Sequence, residues 1–351
     1  MKTYLVTGGA GFIGSNFVLY MLNNYNDIKI VNLDKLTYAG NLENLKSVET
    51  NHNYSFIEGD ICDKNLVERI FKQFQIDFVV NFAAESHVDR SITDPDVFVK
   101  TNVLGTANLL NCAKSAWCLN EATDLFKQGV KFLQISTDEV YGSLGFDGFF
   151  TESSIICPHS PYSASKAAAD LLVQAYYDTY KLPVNITRCS NNYGPFQFPE
   201  KLIPLVINNV LNAKDIPIYG DGLNIRDWLY VVDHCAAVDL VLKNGIVGQV
   251  YNVGGKNEKT NLELVKTILE IFSKLNAFEV KSKIQHIVDR KGHDRRYAID
   301  PSKVERLGFK PSVSFEEGIK KTVDWFLANQ TWLKNVVSGD YKNYYKNKYE
   351  S

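Results

Sequence analysis

Tyr162 and Lys166 stand four residues apart in a segment whose apolar spacing predicts a helix. Side chains at this spacing lie on one helical face, one turn apart. A tyrosine has an ordinary pKa of about 10, so a role as a base near neutral pH requires roughly 4 kcal/mol of preferential stabilisation of its phenolate. A neighbouring ammonium in a water-poor cleft provides stabilisation of this kind. The pair therefore indicates a proton-abstracting tyrosine, although the spacing alone also fits a solvated Tyr and Lys on an amphipathic helix.

Two adjacent carboxylates, Asp138 and Glu139, follow the strand predicted over Val130–Ser136. Open α/β sheets bind ligands at the carboxyl ends of their strands, where this pair would lie. Removal of water beside a carbonyl group needs a base for the C–H proton and an acid for the departing hydroxyl. Burial and a second carboxylate both favour the protonated form of the acid. Successive strand residues face opposite ways, so both acids reach one substrate only if the strand ends at about Thr137; otherwise they are solvated loop acids.

A glycine-rich turn, Thr7–Gly14, separates the first predicted strand from the first predicted helix. It fits two registers, Gly9-x-Gly11-x-x-Gly14 and Gly8-x-x-Gly11-x-x-Gly14. Either register brings the backbone close to a pyrophosphate at a helix N-terminus, which predicts a dinucleotide site. The alternative is a turn that serves only to pack the helix against the strand.

An acidic residue stands where the ribose of a dinucleotide would be bound. Asp34 ends the second predicted strand, 20 residues past the last glycine of the turn. A carboxylate there hydrogen-bonds the ribose 2′-OH and repels a 2′-phosphate, so the motif predicts NAD rather than NADP, although the adjacent Lys35 weakens this discrimination. Asp60 and Ile61 follow the third predicted strand and would border the adenine, while a helix N-cap by Asp60 or Asp63 is the simpler interpretation.

Short apolar runs alternate with helical patterns through the first half of the chain. Strands are predicted over Lys2–Thr7, Ile28–Asp34, Ser55–Glu58, Phe78–Ala83, Val130–Ser136 and Val184–Arg188. Helices are predicted over Phe12–Asn23, Leu66–Phe74, Val97–Ser115 and Tyr162–Tyr180. Apolar strands that alternate with helices predict an α/β fold, a Rossmann-type doubly wound parallel sheet covered on both faces.

The pattern changes after about residue 195, where strand and helix fragments mix without a regular alternation. We expect residues 1–195 to form a dinucleotide-binding domain, with the chain returning to its sheet within 230–255. Residues 196–330 are expected to form a smaller mixed α/β substrate lobe, and 331–351 a C-terminal tail. Within this tail, Tyr341–Ser351 is expected to be a surface segment with little regular structure.

Composition argues against several classes of function. The 351 residues include 38 basic and 40 acidic side chains, and a formal net charge of −2 gives no basic field for nucleic acid or anionic lipid. No apolar run reaches the roughly 20 residues that span a bilayer, and the N-terminus lacks the features of a signal peptide. The six cysteines form no C-x-x-C pair and no zinc-type spacing with histidine. We therefore expect reduced thiols, no metal site and a cytoplasmic protein.

Taken together, these motifs resemble the extended short-chain dehydrogenase/reductase family, and the Thr137-Asp138-Glu139 segment is similar to that of the dTDP-glucose 4,6-dehydratases. The resemblance implies that Tyr162 is the base that removes a hydroxyl proton. It implies that Lys166 lowers the pKa of this tyrosine and holds the nicotinamide ribose. Thr137 is then the residue that hydrogen-bonds the reacting hydroxyl, with Asp138 as the acid and Glu139 as the base of an elimination.

The resemblance covers nearly the whole chain, through Asn32–Leu42, Ala83–Ser91, Arg188–Pro195 and Asp289–Tyr297. Together with the glycine motif it implies cofactor contacts at Gly8, Gly11, Phe12, Ile13, Gly14, Asp34, Lys35, Thr37, Asp60, Ile61, Ala83, Ala84, Thr101, Tyr162, Lys166 and Asn192. It implies substrate contacts at Ser86, Thr137, Asn191, Lys201, Leu202, Pro217, Tyr219, Arg226, Asn261, Arg290, His293 and Tyr297. Lys201 and Arg226 would bind the pyrophosphate and Tyr219 the base, although by residue type alone Lys201 also fits a solvated helix-end lysine.

The activity implied is a redox-neutral dehydration of a nucleotide sugar, dTDP-glucose, to its 4-keto-6-deoxy product. Oxidation at C4 by NAD makes the C5 proton acidic, water leaves across C5–C6, and the hydride returns to C6. The alternatives are a UDP-glucose 4,6-dehydratase, another nucleotide-sugar epimerase or decarboxylase, and a non-catalytic NAD-binding sensor. The carboxylate pair argues against the epimerase or decarboxylase, and the Tyr162–Lys166 pair argues against the sensor. The resemblance also implies a homodimer.

Overall fold

The computed structural model describes residues 1–275 and 279–338 of the chain. Its centre is a sheet of seven parallel strands. In spatial order these are β12 (Val250–Val253), β8 (Val184–Cys189), β7 (Lys131–Thr137), β4 (Phe78–Asn81), β1 (Lys2–Thr7), β2 (Ile28–Asp34) and β3 (Tyr54–Glu58). The chain leaves β1 toward one edge through β2 and β3, then crosses back to β4, so the order reverses between β1 and β4. Open α/β sheets bind ligands at such a reversal, and the predicted doubly wound parallel sheet is confirmed.

Helices cover both faces of this sheet. Two of them pack side by side on one face, α1 (Phe12–Asn24) and α8 (Val231–Asn244). The opposite face carries α2 (Lys64–Phe74), α5 (Thr106–Trp117) and α6 (Pro161–Tyr180). Successive strand residues enter opposite cores: Tyr4 and Val6 pack with the first pair of helices, and Leu5 packs with the second group. Strands covered on both sides must be apolar throughout, which explains the continuous apolar runs in the sequence.

The long helix predicted over Val97–Ser115 is divided in the structure. Short helices α3 (Val88–Thr93) and α4 (Pro95–Phe98) precede a π-helical turn over Val99–Gly105, and α5 begins only at Thr106. Asn102 in this turn accepts a hydrogen bond from Glu85 N at 2.9 Å and donates one to Ser165 Oγ at 2.8 Å. The extra residue of a π turn re-aims neighbouring side chains, and such turns occur often at functional sites.

A second lobe follows β8 and is mixed in character. Its strands are β9 (Asn191–Tyr193), β10 (Ile216–Tyr219), β11 (Ile225–Tyr230), β13 (Glu258–Thr260) and β14 (Ile284–Ile287), in the sheets β13-β11-β9 and β10-β14. Its helices are α7 (Leu202–Leu211), α9 (Asn261–Ser273), α11 (Phe315–Ala328) and α12 (Gln330–Val336), and they share one apolar core. The remaining short elements are the hairpin β5 (Cys118–Asn120) and β6 (Leu125–Phe126), α10 (Ser302–Glu305), and 3₁₀ turns at Leu42–Val48, Glu121–Thr123 and Asp138–Tyr141.

The predicted start of a C-terminal tail at residue 331 is wrong. Helix α12 continues to Val336, and its Trp332 and Leu333 are buried in the core of the lobe. Trp332 Nε1 also donates a hydrogen bond to Asn44 Oδ1 at 2.8 Å, which ties this helix to the first domain. The tail predicted at residues 341–351 lies outside the described residues.

Within residues 1–275 and 279–338, no helix is both long enough and apolar enough to cross a bilayer. All six cysteines are free thiols. The same ranges contain no group of three or more His, Cys, Asp or Glu side chains placed to hold a metal ion.

Candidate active site

A cavity of about 370 Å³ lies across the carboxyl ends of the central strands and extends to the second lobe. Every residue predicted to contact the cofactor lines it, from Gly8 in the glycine turn to Asn192 in β9. Thr137, Asp138 and Glu139 line the same cavity. The fold therefore brings the predicted cofactor residues and the predicted acid–base residues to one space.

The glycine turn forms the wall at one end of this cavity. Gly8 has a φ of 67°, and an added Cβ would lie 2.6 Å from the backbone that follows β4. A Cβ on Gly14 would overlap the Gly8 carbonyl oxygen, whereas one on Gly11 would have its nearest contact at 3.3 Å. Gly9 instead packs against a β2 side chain, which selects the Gly8-x-x-Gly11-x-x-Gly14 register. Helix α1 begins at Phe12 with no side-chain cap from the described chain, so its first N–H groups are available to an anion in the cavity.

Asp34 lies at the end of β2 and accepts two backbone N–H groups at 2.8 and 2.9 Å. Burial raises the pKa of this carboxyl, and the two hydrogen bonds oppose that effect. Lys35 forms an ion pair with Asp60, in which Nζ lies 2.9 Å from Oδ2. This pairing neutralises the cation that would otherwise attract a 2′-phosphate. The N-cap of α2 is Asp63, which leaves Asp60 for the ion pair.

Strand β7 ends at Thr137, as the orientation of the two acids required. Thr137 Oγ1 accepts a hydrogen bond from Glu139 N at 3.3 Å and caps the 3₁₀ turn that begins at Asp138. The turn replaces the alternation of an extended strand, so both carboxylates reach the cavity. Asp138 is 1% exposed, whereas Glu139 keeps partial exposure.

The surroundings of the two carboxylates differ in charge. Burial and the Glu139 carboxylate raise the pKa of Asp138 well above its usual range. Burial also raises the pKa of Glu139, but the guanidinium groups of Arg290 and Arg226 and the ammonium of Lys201 oppose that rise. The pKa of both carboxyls is raised, more strongly for Asp138, which makes Asp138 the better candidate for the acid and Glu139 for the base.

Tyr162 and Lys166 lie in the first turns of α6, which opens with a capping box at Ser160. They are 9% and 4% exposed, and Lys166 Nζ donates to the carbonyl of Ile135 in β7 at 2.6 Å. The chain alone does not lower the pKa of this tyrosine, and a lowered pKa in the complete site with its cofactor stays a prediction. Burial and the Glu139 carboxylate raise the pKa of Tyr162 well above 10. A phenolate at this position therefore needs additional positive charge beside it.

A second cavity of about 160 Å³ adjoins the first in the lobe. The two share a border of Glu139, Asn191, Asn192, Gln197, Glu200 and Lys201. Three cations line the second cavity, Lys201, Arg226 and Arg290. Their combined positive charge beside Glu139 suits a ligand with two phosphates.

The other predicted substrate residues divide between these cavities. Leu202, Pro217, Tyr219, Asn261 and His293 line the second, and Ser86 lines the first. Burial and Arg290 lower the pKa of His293 to about 4, so its imidazole is neutral near pH 7.

Tyr297 is the exception, because it lines neither cavity. The guanidinium of Arg226 lies 4.3 Å from the centre of its ring, and its hydroxyl donates to Asp294 at 2.5 Å. The backbone carbonyl of Asp294 in turn accepts a hydrogen bond from Arg226 Nη2 at 2.9 Å. The structure therefore places Tyr297 behind Arg226 and outside both cavity linings, and a direct nucleotide contact stays a prediction.

Comparison with known proteins identifies the family. A family model described as GDP-mannose 4,6 dehydratase matches residues 5–322. A dTDP-glucose 4,6-dehydratase of Xanthomonas campestris is 53% identical over 347 residues, which cover 97% of this chain and 98% of the relative. The chain belongs to the dTDP-glucose 4,6-dehydratase family. A dTDP-glucose 4,6-dehydratase of Shigella flexneri is 51% identical, over 99% of this chain and 98% of its own. The crystal structure of the Bacillus anthracis dTDP-glucose 4,6-dehydratase in complex with NAD is 49% identical, with a TM-score of 0.85 over 96% of this chain and 100% of that chain.

One cluster in this dehydratase fold was missed by the sequence analysis. Tyr38 OH donates to Glu200 Oε1 at 3.0 Å, and Arg90 Nε lies 3.3 Å from Glu200 Oε2. The Arg90 guanidinium also lies 3.7 Å from the centre of the Tyr38 ring. We call these residues the Tyr38–Arg90–Glu200 cluster. It joins the segment after β2 to helix α3 and to the lobe at the edge of both cavities.

Two members of this cluster could have been suspected from the sequence, because each is adjacent to a predicted site residue. Tyr38 follows the predicted cofactor residue Thr37, and Glu200 precedes the predicted substrate residue Lys201. Their pairing is not visible in the sequence, since 162 residues separate Tyr38 from Glu200. Residues that line the cavities without having been predicted include Glu85, His87, Cys189, Gln197 and Trp228.

Proposed function

We propose that this protein is a hydro-lyase that dehydrates dTDP-glucose to dTDP-4-keto-6-deoxyglucose with the help of NAD. The observation that carries the proposal is the carboxylate pair beside the tyrosine. Asp138 and Glu139 line the same cavity as Tyr162, and burial raises the pKa of both carboxyls, more strongly for Asp138. A simple oxidation needs the tyrosine alone, whereas loss of water needs a further acid and base. The 53% identical relative carries the corresponding name.

The residues of the larger cavity fit NAD. The N–H groups at the start of α1 suit its pyrophosphate, Asp34 suits a ribose 2′-OH, and Lys166 suits the nicotinamide ribose. With Lys35 paired to Asp60, an NADP phosphate would meet the Asp34 carboxylate without a free cation from that lysine. NAD, when bound, supplies the oxidant that takes a hydride from C4 of the sugar and returns it to C6.

Tyr162 removes the proton from O4 in the oxidation step, and Thr137 holds that hydroxyl by a hydrogen bond. Burial makes the phenolate costly, as the raised pKa of Tyr162 indicates. Lys166 beneath it and the positive charge of the oxidised cofactor offset this cost in the complete site. The tyrosine is therefore an effective base only when the cofactor is in place.

Elimination then uses the two carboxyl groups. Glu139 takes the proton from C5, which the C4 ketone has made acidic, and Asp138 gives its proton to the C6 hydroxyl, which leaves as water. Glu139 afterwards returns a proton to C5 as C6 is reduced. Over one cycle Tyr162 has gained a proton and Asp138 has lost one, so a proton transfer between them through solvent restores the starting state. The net change in the sugar is the loss of one water.

The second cavity is proposed to hold the dTDP part. Lys201, Arg226 and Arg290 would bind the two phosphates, and Tyr219 would lie against the base. The thymine itself is assigned from the names of the relatives, because the cavity residues do not distinguish it from uracil. UDP-glucose is for this reason the second candidate substrate.

We further propose the wider organisation. Residues 1–195, with the return within 230–255, serve as the NAD domain, and 196–330 with α12 serve as the substrate lobe. The protein is proposed to act as a cytoplasmic homodimer, by resemblance to its family.

Mass spectrometry of the reaction mixture tests the proposal. Purified protein is incubated separately with dTDP-glucose and UDP-glucose, with no NAD added. Loss of one water from dTDP-glucose supports the activity, the retained cofactor and the base preference together. Water loss from UDP-glucose alone would keep the mechanism and overturn the choice of thymidine. No water loss from either sugar, even after NAD is supplied, would reject the proposed function.

A further inference from the structure

Two charged side chains on α6 lie side by side beneath the candidate active site. Lys166 and Asp170 are one helical turn apart and are 4% and 1% exposed. They attach to successive residues of β7: Lys166 Nζ donates to Ile135 O at 2.6 Å, and Ser136 Oγ donates to Asp170 Oδ2 at 2.9 Å. The strand therefore holds both side chains, Lys166 at the cavity wall and Asp170 behind it. The mechanism described above gives Lys166 a role but gives none to Asp170.

A third charge completes the arrangement from the next strand. Arg188 in β8 is 4% exposed, and its Nε lies 2.9 Å from Asp170 Oδ2. Its Nη1 donates to the hydroxyl of Tyr141 at 3.0 Å, and that hydroxyl donates to Asn252 Oδ1 at 2.7 Å. These contacts join β8 to α6, to the turn after β7 and, through the Tyr141 hydroxyl, to β12, so the guanidinium is held on more than one side. Charges consequently alternate from the buried side toward the cavity: Arg188 positive, Asp170 negative and Lys166 positive.

We propose that Asp170 is a positioning residue that keeps Lys166 protonated in the dry interior, so that the lysine can stabilise the Tyr162 phenolate. This inference rests on the proposed function. Arg188 serves one step further back, because its charge keeps Asp170 ionised. An isolated ammonium buried at this depth would lose its proton rather than remain charged without a partner.

The charged and titratable neighbours of Lys166 support this assignment. Burial lowers the pKa of Lys166, and the Asp170 carboxylate is the first group that opposes this effect, followed by the Cys189 thiol of β8. Burial raises the pKa of Asp170, and Arg188 followed by Lys166 opposes that rise. From the turn after β7, the carboxylate of Glu139 raises the pKa of Tyr162 and is not among the groups that shift the pKa of Lys166.

The decisive variant is Asp170→Asn, which keeps the size of the side chain and an oxygen for Ser136 while it removes the charge. Turnover requires a protonated Lys166, so activity falls at high pH as this lysine loses its proton. We expect the alkaline limb of the kcat profile to move to lower pH by roughly 1 to 3 pH units, since loss of an adjacent opposite charge shifts a pKa by that amount. The conservative variant Asp170→Glu should restore most of the wild-type limb.

A second readout does not depend on the sugar. Lys166 is proposed to hold the nicotinamide ribose, so the pH at which bound NAD begins to dissociate faster should fall in Asp170→Asn as well. The wild-type protein is measured in both assays, and its removal of water from dTDP-glucose tests the proposed function. If the wild type removes no water from dTDP-glucose, that function fails, and the pH dependence of NAD release still decides the role of Asp170.

Asp170→Asn leaves Arg188 without its carboxylate and could prevent folding. The double variant Asp170→Asn/Arg188→Met removes the ion pair as a unit and should show the same downward movement of both pH dependences. Lower activity at every pH, with the alkaline limb and the pH dependence of NAD release at their wild-type positions, would show that Asp170 is merely structural and would overturn the proposal.

Discussion

Replacing Tyr38 with phenylalanine should speed the release of NAD from the proposed cofactor site. The segment that contains Tyr38 forms the outer wall of the larger cavity, which Thr37, Ala39 and Gly40 line. The Tyr38 hydroxyl fastens this wall to the lobe through its hydrogen bond to Glu200 at 3.0 Å. A cofactor that leaves past this wall must break that contact.

The size of the effect follows from the nature of the bond. Glu200 is 6% exposed, and burial raises the pKa of its carboxyl while Lys201 and Arg90 oppose that rise. A hydrogen bond to such a charged group contributes about 1.5–3 kcal/mol. If this hydrogen bond must break before NAD can leave, its removal should raise the NAD dissociation rate roughly tenfold to a hundredfold. The phenylalanine ring in this variant would keep the contacts that the Tyr38 ring makes with Arg90 at 3.7 Å and with Phe198 at 5.5 Å.

The assay follows NAD that remains bound after dilution, with timed gel filtration and chromatography of the released nucleotide. Tyr176→Phe is the matched control, because its hydroxyl donates to Asn111 Oδ1 at 2.7 Å on the exposed side of α6. This control should release NAD at the wild-type rate. A Tyr38→Phe rate that is also unchanged would refute the reasoning, since the cofactor would then leave without parting the two segments.

Three further predictions concern catalysis, binding and stability. Asp138→Asn and Glu139→Gln should each slow water loss from dTDP-glucose by about 10²–10⁴-fold at unchanged NAD content, measured by mass spectrometry, and a near-wild-type rate would exclude that residue from the elimination. Arg226→Gln should raise the inhibition constant of dTDP roughly tenfold to a hundredfold through a lost charged hydrogen bond, and an unaltered constant would contradict the phosphate assignment. Burial lowers the pKa of His234 to about 4, so its imidazolium is disfavoured in the fold and stability is lost as the pH falls from about 6.5 to about 4. In urea unfolding, His234→Leu should reduce the loss of unfolding free energy between about pH 7 and about pH 4.5 by about 2–3 kcal/mol, and an equal loss in both proteins would show that His234 is protonated in the fold.

Much of the first domain could be predicted from local pattern. Lys2–Thr7 and Ile28–Asp34 have the same bounds in the prediction and in the structure, because strands covered on both faces are apolar runs bordered by polar residues. The segment Val97–Ser115 was predicted as one helix because the apolar pattern does not reveal the π turn at Val99–Gly105, which lies within continuous helical backbone. The boundary at residue 331 failed because burial of Trp332 depends on the lobe and not on its neighbours in sequence.

The candidate site was predictable where the relative positions of its residues are set within one short segment of the chain. The Gly8 turn places its glycines by local backbone sterics, and Tyr162 and Lys166 share a helix. The orientation of Asp138 and Glu139 also depends on a local feature, the residue at which β7 ends. Thr137 ends the strand by capping the turn that follows. Positions that depend on contacts between distant segments were harder to predict. Tyr297, for example, packs against Arg226 and lines neither cavity.

The sequence by itself determined the fold class, the dinucleotide motif, and the residue types available for proton transfer, because turn sterics and side-chain spacing act over a few residues. The tertiary structure alone decided the protonation preferences of the two acids. Burial raises the pKa of both carboxyls, and the guanidinium groups of Arg290 and Arg226 from the lobe oppose that rise at Glu139. It also decided the setting of Lys166, whose charge depends on Asp170 and, through it, on Arg188. Electrostatic effects depend on distance and on exclusion of water, and both are set only when remote segments pack together.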